Sequence, residues 1–374
     1  MKNFVVTSFG IMLAVVAASP SCWAADVNFL AGDGNFNTAA SWSDGMLPSL
    51  DIDNHFIQDG LTATYSAGTV SVRKLVVSDG SPGTLNMTGG DLTAAGGDDS
   101  FQIGRGCCGG DGLVDLSGTA ILRTTGQSGV GERDKGVLHI GPDASVISPG
   151  VYWRVGNFGP SVDAGLEGNG LLDIEGTFSA RALFIGVQDG TGVVRVRGTG
   201  SVTLTQQDDN PGFADIDMDF NHNPIFHPNQ SGTIHMEGSN ASMSARNLFS
   251  QHDALSPVKN LLWFTADLGG VSPITLTNAV NINNNKLQVD LNGFDVAPLA
   301  TLLLIDAAPG GIAPGTSFAE LEVLGGASAP NYYVVYDGPN GDILLARTIP
   351  EPSTMLLIGL GMSLAFCAKR RASR

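Results

Sequence analysis

The chain has 374 residues and a formal charge of −17, set by 36 acidic against 19 basic residues, with 50 glycines and four cysteines. An acidic surface of this kind repels nucleic acid and anionic lipid headgroups and attracts divalent cations or basic partners, so nucleic-acid binding is excluded. Four cysteines, of which Cys107 and Cys108 are adjacent, also exclude a disulfide-stapled scaffold.

Residues 1–24 read as a secretory signal peptide. Lys2 precedes the apolar stretch Phe4 to Ala18, and Ser19-Pro20 and the small-residue stretch Ser21-Cys22-Trp23-Ala24 follow, which predicts cleavage after Ala24 or Ala25. Pro20 spoils the pattern that would make Cys22 a lipidation site. Residues 25–82 are expected to form an N-terminal cap and the first strands.

From residue 83 to 245 one heptad returns six times, starting at Gly83, Gly112, Gly136, Gly170, Gly192 and Gly232. Its third and fifth places are apolar, as in Leu172 and Ile174, and its fourth and sixth are almost always polar, as in Asp173 and Glu175. Gly brackets both ends except in the third copy, where Gly141-Pro142 takes the last two places. This is the pattern of a short strand with one buried face, closed by turns expected to need positive φ. A second marker, a β-branched residue followed by Gly, falls between copies at Ile103-Gly104, Val130-Gly131, Val155-Gly156 and Ile185-Gly186. Heptad starts lie 29, 24, 34, 22 and 40 residues apart, and such a period means stacked units rather than independent domains. The predicted fold class is all-β: a parallel β-helix, or solenoid, followed over residues 246–348 by a C-terminal β region that caps it.

The two markers together resemble the repeat shared by autotransporter passenger domains and surface proteins of the PEP-CTERM class. Gly34-Asn35 with Trp42 is similar to the opening of such helices, which implies an aromatic plug in the first coil.

Motifs with chemical meaning are few. Gly104-Arg105-Gly106-Cys107-Cys108-Gly109 has the spacing of a dinucleotide-binding loop, but another strand pattern follows in place of a helix, so it is expected to be a coil corner. Of the six histidines, His222, His227, His235 and His252 come nearest to a cluster, and they are expected to be solvated rather than to bind zinc. In the longest insertion, Asp215, Asp217, Asp219 and Asn221 alternate with Ile216, Met218 and Phe220. An extended backbone would put the four oxygen-bearing side chains on one side, a possible calcium site, though an acidic edge strand explains the same pattern. No other cofactor is expected.

Residues 349–374 hold Pro350-Glu351-Pro352, an apolar run from Met355 to Ala368, and the basic cluster Lys369, Arg370 and Arg371 with Arg374. Fourteen or so apolar residues reach roughly 21 Å as a helix against the ~30 Å hydrocarbon core, so this is a weak single transmembrane sorting helix that needs snorkelling Lys369 and Arg370. The positive end is expected to stay cytoplasmic. Tripeptide, apolar span and basic tail in this order resemble the PEP-CTERM signal. The resemblance implies export through the secretion machinery, transient anchoring in the inner membrane, processing near Pro350-Glu351-Pro352 by an exosortase-type enzyme, and delivery to the cell surface or medium. Without both ends, 19 less five basic and 36 less one acidic residues leave 14 and 35, a balance of −21.

Two functions fit these features. One is a non-catalytic cell-surface or matrix protein associated with exopolysaccharide, biofilm or matrix proteins. The alternative is a polysaccharide lyase or glycosidase, which needs converging acidic and basic groups or paired carboxylates. The outward heptad residues Asn86, Asp115, His139, Asp173, Arg195 and His235 build no catalytic column, and aromatic residues for sugar stacking make up only 7% of the chain, so the sequence favours the first.

Overall fold

A computed structural model describes residues 26–106, 109–159, 168–205, 215–218, 229–251, 258–294, 296–297, 300–325 and 331–348. Among them the chain is all-β, and apart from one short 3-10 turn at Ala39–Ser41 there is no helix. The expected signal peptide with Ala24 and Ala25, the pair Cys107 and Cys108, and the sorting segment from residue 349 lie outside the described residues. No helix among the described residues is long and apolar enough to cross a membrane.

The strands form one large, mostly parallel sheet that winds through three stacks, an arrangement consistent with a parallel β-helix. Each coil carries a heptad strand, a second strand four or so residues on, and a third before the next heptad, as in Gly83–Met87, Asp91–Ala94 and Phe101–Ile103. Through the coil stack each strand pairs in parallel with the one a coil further along. The heptad glycines pair in register from Gly83 through Gly112, Gly136, Gly170 and Gly192 to Gly232. The register then continues past the last glycine heptad through Leu261–Thr265 and the end of Ile274–Asp290 to Ser317–Leu324. In Ile274–Asp290 one 17-residue strand serves all three stacks.

The period-two alternation of the heptad gives the core. Leu85, Val114, Leu138, Leu172, Val194, Ile234 and Leu262 form one fully buried column, and Met87, Leu116, Ile140, Ile174, Val196, Met236 and Phe264 form the next. Each such side chain contributes about 1.5–3 kcal/mol by leaving water. Both ends of the apolar prism are closed. At the first coil Trp42 packs edge-on against Phe29 and Phe36, with centroids 5.2 and 5.1 Å away, and Phe36 meets Tyr65 at 5.8 Å. The Trp42 indole N–H donates to the Phe36 carbonyl at 2.9 Å, so the buried ring leaves no orphaned polar atom. At the far end Thr301–Asp306 pairs antiparallel with Asp342–Arg347, which pairs antiparallel with Tyr332–Asp337. The reversal of direction ends the coil stack.

Positive φ, expected at both ends of each heptad, is found at the closing Gly118, Gly198 and Gly238, at 52°, 61° and 86°, but not at the closing Gly89 and Gly176. The opening glycines are not in the left-handed region, whereas the glycines of the second marker are, with φ of 67° at Gly104, 71° at Gly131 and Gly156, and 66° at Gly186. The opening glycines are required by close approach instead. A Cβ on Gly170 would lie 2.2 Å from the Val130 carbonyl oxygen and 2.4 Å from the Gly156 nitrogen, and one on Gly156 would lie 2.2 Å from the Thr191 oxygen. The two markers are thus halves of a single corner in which backbone packs on backbone with no room for a side chain.

Gly156→Ala, which combines a positive φ with a backbone clash, is expected to destabilise by roughly 2 kcal/mol or more. Gly150→Ala, where a Cβ meets nothing within 4 Å, is expected to be near neutral. Urea melts of the two variants followed by far-UV circular dichroism check the contrast.

Candidate functional site

The outward face of the heptad stack carries polar and charged side chains that pair from coil to coil. His139 Nδ1 lies 2.7 Å from Asp115 one coil back, and its Nε2 lies 3.5 Å from Glu175 one coil on. Asp173 is buried and receives both Arg195 and Arg197, at 2.9 and 3.0 Å, while Arg197 also reaches Glu175 at 2.6 Å. Burial opposes charge on Asp173, but the hydrogen bonds from the two guanidinium groups prevail and hold its carboxyl down at about 2. His235, expected to be solvated, is buried: it stacks on Trp263 with centroids 3.9 Å apart and planes 6° apart, and its Nε2 meets the Thr265 hydroxyl at 2.9 Å. His222, His227 and His252 lie outside the described residues.

The acidic insertion is also placed differently from its expected outward row. Ile216–Asp217 is a strand of the third stack, with Asp217 in register between Phe184 and Phe249. Both Asp215 and Asp217 are buried along with Ile216 and Met218. The coils pack on both sides of this short segment, so alternation does not bring its carboxylates to solvent. Asp215 Oδ2 accepts the Arg246 amide, and burial pushes the carboxyl above its usual range. Asp219 and Asn221 lie outside the described residues. No group of three or more His, Cys, Asp or Glu side chains able to hold a metal occurs among the described residues.

The loop with dinucleotide-like spacing leads into the strand Gly112–Leu116, as expected for a corner. The amides of Gly104 and Arg105 bond to the Val77 and Ser78 carbonyls of the preceding coil. Asp134 Oδ2 accepts from the Gly109 nitrogen at 2.7 Å and from that of Gly110.

Functional groups converge instead beside the third stack, in a cleft of about 260 Å³ lined by Lys74, Asp99, Gln102, Arg105, Glu132, Arg133, Arg154 and Phe158. Four successive coils build it. Gln102, Gly129 and Arg154 pair in register, and Gly129 supplies depth, since a Cβ there would lie 2.0 Å from the Glu132 carboxylate. The Glu132 side chain fills that space at 3% exposure, 3.1 Å from Arg154 Nε, and accepts from Asn157 Nδ2 at 2.9 Å. Burial pushes the Glu132 carboxyl upward against the pull of Arg154 and Asn157. Arg154 extends its other nitrogen to Asp99 at 2.6 Å. Arg133 lies over the Phe158 ring and Arg105 over Phe56, at 5.4 and 5.8 Å from the ring centroids, so both guanidinium groups are held flat at the rim. Phe158 adopts φ of 56°, unusual for a bulky residue and a sign that its surroundings fix it.

The cleft escaped the sequence reading because no two of its coils contribute a contiguous motif. The available signal was the second marker. Gln102, Gly129 and Arg154 each stand just before a β-branched residue and Gly, and Arg105, Glu132 and Asn157 just after.

Comparison with known proteins places residues 348–371 in the PEP-CTERM protein-sorting motif. No curated protein and no solved structure matches the chain. The motif indicates an exported protein, sorted to the cell surface by an exosortase-type system.

Two buried histidines give the molecule a defined response to acid. Burial lowers His55, which sits under the edge of Trp42, and His235 to about 4 from 6.5. Each is therefore neutral in the folded chain and binds a proton on unfolding below pH 6.5. Their contribution to stability is complete above pH 6.5, falls as the pH drops toward 4, and levels off below. Thermal melts from pH 7 to 4 are expected to show a shallower loss of Tm for the double variant His55→Phe/His235→Phe than for the parent chain.

Proposed function

We propose that this is a non-catalytic protein of the cell surface or extracellular matrix, whose rigid parallel coil stack presents its outer faces to exopolysaccharide or to other components of a biofilm. The observation that carries the reading is the sorting motif at residues 348–371, joined to a long all-β body. In this reading the N-terminal signal directs secretion, Met355 to Ala368 holds the chain in the inner membrane for a time, and the exosortase-type enzyme acts near Pro350-Glu351-Pro352. The acidic surface supports solubility outside the cell, and the parallel coil stack supports the role of a scaffold. Calcium at the 215–221 insertion is a secondary proposal.

A polysaccharide lyase or glycosidase is the second reading, and one observation favours it: acidic and basic groups converge around the buried Glu132. Against it stands the engagement of both Glu132 and Asp99 by Arg154, which holds the two carboxylates in an ion-pair network.

Protein extracted from the cell surface is expected to end near residue 350 and to lack Lys369, Arg370 and Arg371. Intact mass and C-terminal peptides check this, and recovery of Arg374 in most molecules overturns the processing step.

A further inference from the structure

The mature chain carries 14 basic residues, and four of them, Lys74, Arg105, Arg133 and Arg154, line one cleft. Elsewhere several basic groups are matched by carboxylates: Arg73 with Asp53, Arg123 with Asp91, Lys259 with Glu320, Lys286 with Glu322. In the cleft Arg154 is matched, by Asp99 and Glu132, but the other three are not closely paired. Neither Lys74 nor Arg133 has a carboxylate within 4 Å among the described residues, and Arg105 reaches Asp79 only at 3.9 Å. A concentration of unmatched cations on a chain of strongly negative balance marks a place that attracts an anionic group.

One further feature defines that group. Gln102 is 4% exposed and its Oε1 has no hydrogen-bond partner, although it lines the cleft, whereas Glu132 Oε1 already faces Arg154 Nε at 3.1 Å. Buried polar atoms without partners are costly, about 1–3 kcal/mol each, unless a ligand satisfies them. The Gln102 oxygen accepts hydrogen bonds, so it calls for a donor such as a hydroxyl group. A bare phosphate or sulfate would use the cations alone. A ligand carrying one carboxylate among several hydroxyls uses both sets of groups.

We infer that this cleft binds an acidic sugar residue of a glycan chain, with Lys74, Arg105 and Arg133 receiving the carboxylate and Gln102 and Asp99 accepting from the hydroxyls. Arg133 and Arg105 are preorganised on their aromatic rings, which lowers the ordering cost of binding. Arg154 acts as a positioning residue that holds Glu132 and Asp99 in place. This names a ligand class for the matrix association proposed above and rests on that reading.

The test uses full-length protein in mild detergent and calorimetry at physiological salt, with oligogalacturonate, a neutral oligogalactoside of equal length and inorganic phosphate as probes. Oligogalacturonate is expected to bind, and the neutral oligomer to bind at least tenfold more weakly. Lys74→Gln and Arg133→Gln are each expected to weaken oligogalacturonate at least tenfold with Tm unchanged, while Arg123→Gln, whose partner is Asp91, leaves affinity as it was. Absence of oligogalacturonate binding, equal affinity for the neutral oligomer, or indifference to both cleft variants overturns the proposal. Phosphate that binds as tightly and competes fully overturns the sugar assignment. Cleavage of the oligomer, abolished by Glu132→Gln, overturns a purely binding role. Processing near residue 350 is read separately by mass, so a chain that is sorted correctly but does not bind defeats this inference and leaves the sorting reading intact.

Discussion

Everything in this molecule depends on backbone packing against backbone at one corner of the coil. Gly156 turns the chain with a positive φ, and the next heptad begins with Gly170 or Gly192 so close to it that a single added carbon would overlap main-chain atoms. That contact fixes the distance between coils and the starting point of each heptad strand. The parallel register then follows, because the glycines pair with one another from coil to coil and the alternating apolar side chains fall into continuous columns. A slip by one residue would turn every buried Leu, Ile and Val of a strand to solvent, and the glycine corner makes that slip sterically impossible as well as unfavourable.

Once register is fixed, electrostatics is decided by stacking. A residue on the outer face meets the residue at the same place one coil away, so charge complementarity must be written at intervals of 22 to 40 positions. Asp173 with Arg195 and His139 with Asp115 satisfy this rule across neighbouring coils. The cleft by the third stack breaks it. There cations from several coils face one another with too few carboxylates, and the shortfall makes the site chemically distinct from the rest of a surface dominated by acid.

The coil architecture was legible in the sequence because both of its causes are local: the period-two alternation of residues such as Leu171 to Glu175, and the recurring glycines. The aromatic plug was legible at Trp42 through its position after Gly34-Asn35, and the structure seats it between Phe29 and Phe36. Three things were not legible. His235 stands at a place that alternation assigns to the outside, but Trp263 in the following coil covers it, and nothing within its own heptad announces that neighbour. Asp215 and Asp217 alternate like an exposed edge, yet the coils on either side of Ile216–Asp217 bury both faces. The cleft required alignment on the shorter marker, since the heptad sets the register of the first stack while the side chains around Glu132 belong to the third.

The aromatic plug at the first coil has a consequence for how an exported chain reaches this state. Within the coil stack every strand pairs with the one that precedes it by a single turn, so no coil must wait for a distant partner to be synthesised. The cluster of Phe29, Phe36, Trp42 and Tyr65 lies within the first forty or so residues of the described chain, ahead of all the glycine heptads. A stack that grows from that end therefore starts on a closed template, and each added coil buries its apolar columns against a surface already formed.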